Sequence, residues 1–134
     1  MKRIQDAPWA WLVGIVIAHL GISLIHGAAH AQANVPMSPA ANLFVFGVIL
    51  AGPLIGLALA LRSRRVGGWV IGITMASSLV FGIVNHFVMA SADHVAHVDP
   101  RWQPLFAATA VQVAITEALG CAVAIRVVRE RSLT

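Results

Sequence analysis

The residues in this chain best suited to chemistry are its six histidines, His19, His26, His30, His86, His94 and His97. They stand in a sequence that is 59% hydrophobic and only 10% charged. An ionisable side chain is expensive to insert into a bilayer, so one that persists there usually faces a partner, a cavity or a bound group. His26 and His30 are four residues apart, and His94 and His97 are three apart. On a helix such pairs project from one face and can ligate one ion together. Asp93 immediately precedes the second pair. The spacing predicts a metal site drawn from His26, His30, Asp93, His94 and His97. Imidazole suits Zn, Cu and Fe, and the carboxylate tilts the set toward Zn or Fe. No glutamate follows His26 in the manner of the HExxH metalloprotease motif, so the pattern names a donor set and not a reaction.

Haem b is the second chemistry these residues allow, because histidine is a standard axial ligand of haem iron. His26 lies 17 residues beyond Trp9 and His86 lies 17 beyond Trp69. Each count corresponds to a helical rise of about 25 Å. That pairs His26 with His86 as cofactor ligands. Counting from the opposite ends of the same segments pairs His19 with His86 instead. Gly21, Gly27 and Gly82 leave space for a macrocycle.

Glu117 is the remaining polar anomaly, placed well inside an apolar segment. His19 and Glu117 each fall roughly 13–15 Å from the same end of their helices. The expectation is a mid-membrane pair, with His19 hydrogen-bonded to Glu117 so that neither is buried alone.

These groups must be positioned by helices, and the hydropathy pattern supplies four. The expected spans are about 7–31, 41–61, 67–90 and 103–126. Asp6 is the expected N-cap of the first, with Pro8 in its first turn. The third either continues as helix to residue 98 or breaks at Ser91-Ala92-Asp93. Gly52 and Gly56, and Gly68 and Gly72, have the small-xxx-small spacing that lets helices approach closely. Ala110, Ala114, Ala118 and Ala122 read as a further packing seam. The fold class is therefore all-α: a single four-transmembrane-helix domain over residues 1–134, an integral membrane four-helix bundle.

The net charge of +4 encodes orientation. Lys2, Arg3, Arg62, Arg64, Arg65, Arg126, Arg129 and Arg131 flank segment ends that share one side, and only Arg101 does not. By the positive-inside rule both termini lie on the inner, cytoplasmic side. This placement argues against a nucleic-acid partner. It predicts a multi-pass protein of the plasma (inner) membrane, if the source is bacterial. Ala29-His30-Ala31 looks like a signal-cleavage site. The apolar run before it is about 20 residues long, enough to span, and is read as a retained helix. A single cysteine, Cys121, cannot form an intrachain disulfide.

Three functions stay open on these residues. One is a small membrane protein with a divalent-metal site at the outer ends of the first and third helices, serving as a metalloenzyme on a lipid-like substrate. The second is a haem b electron-transfer module meeting a quinone-like molecule. The third is a non-catalytic or pH-responsive subunit of a homo-oligomer or larger membrane complex, with histidines titrating near neutral pH.

Overall fold

The computed structural model describes residues 2–130, with side chains from residue 7 onward. Arg131 and the side chains of Lys2, Arg3 and Asp6, expected as basic anchors and as N-cap, lie outside what is described. The chain is all-helical, with 81% helix and no strands among the described residues. Four helices are long and apolar enough to cross a membrane. They are α1 (Lys2–Gln32), α2 (Pro39–Ala60), α3 (Arg64–Val88) and α4 (Gln103–Glu130). Helix α1 starts ahead of Asp6, so that residue does not cap it.

Local chemistry sets the helix ends. Asn34 adopts a φ of 52°, a left-handed conformation that Asn tolerates, and Val35 N–H returns to His30 O at 3.1 Å to close α1. Ser38 Oγ accepts from Ala41 N at the start of α2, with Pro39 in the first turn. Ser63 Oγ accepts from Val66 N at the start of α3. Two helices carry wide π turns, Val45–Ala51 in α2 and Val84–Val88 in α3. Such turns are rare and concentrate where a helix must re-aim side chains.

Helix α4 is central: it packs against α1 and α3, while α2 packs mainly on α3. Arg64 lies over the Trp9 ring, and Gly68 faces Val127 and Val128. His26 meets His86 and Thr109 at the other end. Helices α1 and α3 thus run parallel, with α4 antiparallel to both. The α2–α3 crossing is tight because Gly56 faces Gly67: a Cβ on Gly67 would sit 2.5 Å from Gly56 O and 2.8 Å from Ala60 N.

The alanine seam expected on α4 is not the one the structure uses. Ala118 and Ala122 are exposed, whereas Phe106, Ala110, Glu117, Gly120 and Ala124 are buried. A strict four-residue repeat drifts about 40° per step on a helix with 3.6 residues per turn, so such a stripe winds off the interface. Trp11, Leu43, Phe46, Leu61 and Val80 all point outward. His19, His26, His30, His86, Thr109 and Glu117 point inward. An apolar outside around a polar inside is the arrangement a bilayer selects.

Candidate metal centre

The buried imidazoles of His26, His30 and His86 converge at the end of the bundle away from the termini. Their candidate ligand atoms all lie within 4.8 Å of one another. Helix α1 supplies His26 and His30 from adjacent turns, and the π turn at the end of α3 supplies His86. Phe106 of α4, fully buried, packs on all three rings at centroid distances of 4.8, 4.7 and 5.4 Å.

The partners of the outer nitrogens assign the tautomers of His26 and His86. Thr109 O–H donates to Leu105 O at 2.7 Å, which leaves Thr109 Oγ1 to accept from His26 Nδ1 at 2.8 Å. His86 Nδ1 lies 3.1 Å from the backbone carbonyl Asp93 O and 3.2 Å from Asp93 Oδ1. Both are acceptors, so His86 Nδ1 carries a proton. In the neutral rings both Nε2 atoms then bear lone pairs, and those atoms stand 3.2 Å apart. His30 Nε2 is 3.3 Å from Asp93 Oδ1, and its buried Nδ1 has no hydrogen-bond partner. The structure therefore presents the Nε2 lone pairs of His26 and His86 to one small region, with a ring nitrogen of His30 within 4.8 Å of both.

Asp93 lies beyond the end of α3, in the connection that folds back over His86. Val95 N donates to His86 O at 3.0 Å, which holds the fold-back in place. The Asp93 carboxylate contacts to His30 and His86 are at ion-pair distance but are not aligned as hydrogen bonds, so Oδ1 has none. Burial disfavours the ionised carboxyl, yet the contact with His86, and the attraction of the carboxylate for protons taken up by His86, His30 and His26, outweigh it. They hold Asp93 below the usual carboxylate range.

His94 and His97 are not brought to this cluster. Helix α3 ends at Val88 and Met89 is extended, with ψ of 124°, so neither a helix to residue 98 nor a short second helix forms. Helical periodicity no longer governs where these two side chains project. Instead they lie 5.0 Å apart, centroid to centroid. His97 Nδ1 binds Ser91 O at 2.7 Å and His94 Nδ1 accepts from Ala96 N. His86, read from sequence only as a haem ligand, stands where they were expected.

The His26–His86 geometry also bears on haem. Axial ligands on opposite faces of a macrocycle would be separated by about 4 Å, twice a metal–nitrogen bond of roughly 2.0–2.1 Å. At 3.2 Å the two Nε2 atoms leave no room for a ring between them. His19 and Glu117 are not joined either. His19 Nε2 donates to Ile49 O at 3.2 Å, and Nδ1 lies 3.4 Å from Thr116 Oγ1. Both Glu117 oxygens lack a hydrogen-bond partner. Thr116 is the α4 neighbour that meets the imidazole, and Glu117, about 100° further round the helix, does not.

A cavity of about 80 Å³ adjoins the cluster, lined by His26, His30, His86 and Asp93 at one end and by Glu117 at the other. Thr109 and Phe106, which hold the site, carry no sequence signal of their own: each is an ordinary helix residue until α4 docks on α1. No protein-family model matches the chain, and no curated protein or solved structure matches it.

Proposed function

We propose that this chain is a small integral membrane metalloprotein whose divalent transition-metal ion is bound by His26 Nε2, His86 Nε2 and a ring nitrogen of His30. One observation carries this reading: two tautomers fixed from outside leave the Nε2 lone pairs of His26 and His86 facing each other at 3.2 Å. Two bare lone pairs at that distance repel. Two ligands on a tetrahedral ion with bonds of about 2.0–2.1 Å stand roughly 3.3 Å apart, so an ion turns the repulsion into coordination. Thr109 and Asp93 would orient the ligand rings from behind, as acceptors commonly do for metal-bound histidine.

Three histidines with a fourth position open to a cavity form the donor set of catalytic zinc sites. Copper and iron are also compatible with imidazole. An ion there would polarise a bound water or a small substrate entering the cavity. In this reading the termini lie on the cytoplasmic side, as the positive-inside rule favours for the basic segment ends, and the centre lies near the opposite face. The same 3.2 Å gap also accepts a proton, with one imidazolium bonded to its neighbour and Asp93 as counter-charge; that is the pH-responsive reading.

Metal analysis of purified protein after zinc loading separates the two. Wild type is expected to retain about one equivalent, and His26→Ala combined with His86→Ala none. Negligible metal in both would remove the metal reading and leave the proton.

A further inference from the structure

Glu117 is the strongest anomaly outside the histidine centre. It is 1% exposed, and neither carboxyl oxygen has a hydrogen-bond partner among the described residues. Ser23 Oγ on α1 is likewise buried without a partner. Both groups line the cavity that reaches His26, His30, His86 and Asp93. The nearby titratable groups on the packed elements are His19 of α1 and Cys121 of α4. His19 bonds to Ile49 O and Cys121 to Gly72 O, and neither bonds to Glu117.

The cavity is narrow for its length. Thr109, which holds His26, and Glu117 are eight residues apart on α4, a rise of about 12 Å. Its volume of about 80 Å³ takes several waters, since roughly 10–15 Å³ of such space holds one. Water in such a space needs polar partners, and this cavity offers it the unpaired oxygens of Glu117 and Ser23 at one point and the histidines and Asp93 at another, between otherwise apolar walls. Beyond Glu117 the bundle closes. Gly120 lets Met75 lie where a Cβ would collide with Met75 Sδ. Leu12, Val16, Ile71, Met75, Ala124 and Val127 then form an apolar layer.

We infer that this cavity is a hydrated, one-ended proton path joining Glu117 at mid-bundle to the histidine centre. Water between Glu117 and Ser23 supplies both with the partners they lack. A proton leaving a Glu117 oxygen passes to the adjacent water, and each water hands on one of its own. The last delivers a proton to a base at the centre, the unprotonated His26–His86 nitrogen pair when no ion is bound. Glu117 is left as a carboxylate and the water file is unchanged; the reverse transfer restores it. The path serves either reading of the centre: the imidazole pair would take up the proton itself, and an ion held there would make a bound water acidic enough to send its proton back along the same path to the Glu117 carboxylate.

The test moves the full-length protein in lipid nanodiscs from H2O to D2O and follows the Glu117 carboxyl stretch by infrared spectroscopy. The pH is kept low enough for the carboxyl to be protonated, and the band is identified by its loss in Glu117→Gln. The wild-type band is expected to shift on hydration with D2O. In Ala114→Leu and Ser23→Leu, which each fill the cavity from a different helix, exchange is expected to slow at least about tenfold, because it then waits for the bundle to open. Circular dichroism checks the fold, and two independent plugs guard against one that misfolds. A wild-type carboxyl that does not exchange over hours, or exchanges no faster than in a folded plugged variant, overturns the inference. Metal content of the same samples is measured alongside. Fast exchange without bound metal would retain the path and remove the metal centre; bound metal without the exchange difference would do the converse.

Discussion

Replacing Thr109 with Val tests the metal reading at its most exposed assumption, the His26 tautomer. Valine keeps the shape of threonine and removes the oxygen that accepts from His26 Nδ1 at 2.8 Å. Thr109 is buried at 4% exposure, so bulk water does not replace that acceptor freely. His26 then has two choices. It can keep its proton on Nδ1 and leave a buried donor unsatisfied, at about 1–3 kcal/mol. Otherwise it moves the proton to Nε2 and withdraws the lone pair from the centre. Metal holds the ring to the first choice while the metal-free ring is free to take the second, so affinity falls by up to roughly 5- to 150-fold; outer-sphere partners of metal-bound histidine typically matter by about 10–100-fold. Zinc affinity is measured by competition with a chromophoric chelator on wild type, Thr109→Val and Thr109→Ser. Affinity is expected to fall in the valine variant and to recover in the serine variant. Equal affinity in all three would refute the tautomer argument, and with it the assignment of His26 Nε2 as a ligand.

Other perturbations follow from the same geometry. Replacing His94 and His97 together with Ala is expected to leave zinc affinity within about twofold, since the lost exposed contacts contribute little; a loss comparable to Thr109→Val would return them to the ligand set. Asp93→Asn is expected to lower zinc affinity by about 10–100-fold, read in the same competition assay. Asp93 has a depressed carboxyl, so its contribution to stability is present above the unfolded pKa of about 3.9 and disappears as pH falls through the lower folded value. Acid titration of the metal-free protein, followed by circular dichroism, is therefore expected to show a stability loss below about pH 4 that is smaller in Asp93→Asn. Gly67→Ala should destabilise the bundle by about 1–3 kcal/mol or more. Its methyl group meets the backbone of Gly56 and Ala60, which cannot move as a flexible side chain would. An unchanged thermal midpoint would show that the α2–α3 crossing is looser than described.

The four helices were legible in the sequence because a bilayer imposes a simple rule: each span must be long, apolar and internally hydrogen-bonded. That rule needs only composition in a window, and the expected segments match the observed helices in number and order. His26 and His30 were legible as a pair because four-residue spacing fixes a shared face on any helix. The remaining members of the centre depended on contacts far apart in the chain. The π turn and the break after Val88 end the periodicity on which His94 and His97 were placed, and they turn His86 inward while Asp93 folds back. Thr109 and Phe106 became part of the site only through the docking of α4 against α1, and the same docking set Thr116 rather than Glu117 beside His19. Sequence alone determined that polar, ionisable groups would be gathered inside a membrane-sized helical bundle, because nothing else could shelter them. Tertiary structure decided which of them meet, because rotation about a helix axis and the path of a connecting loop are set by packing and not by spacing.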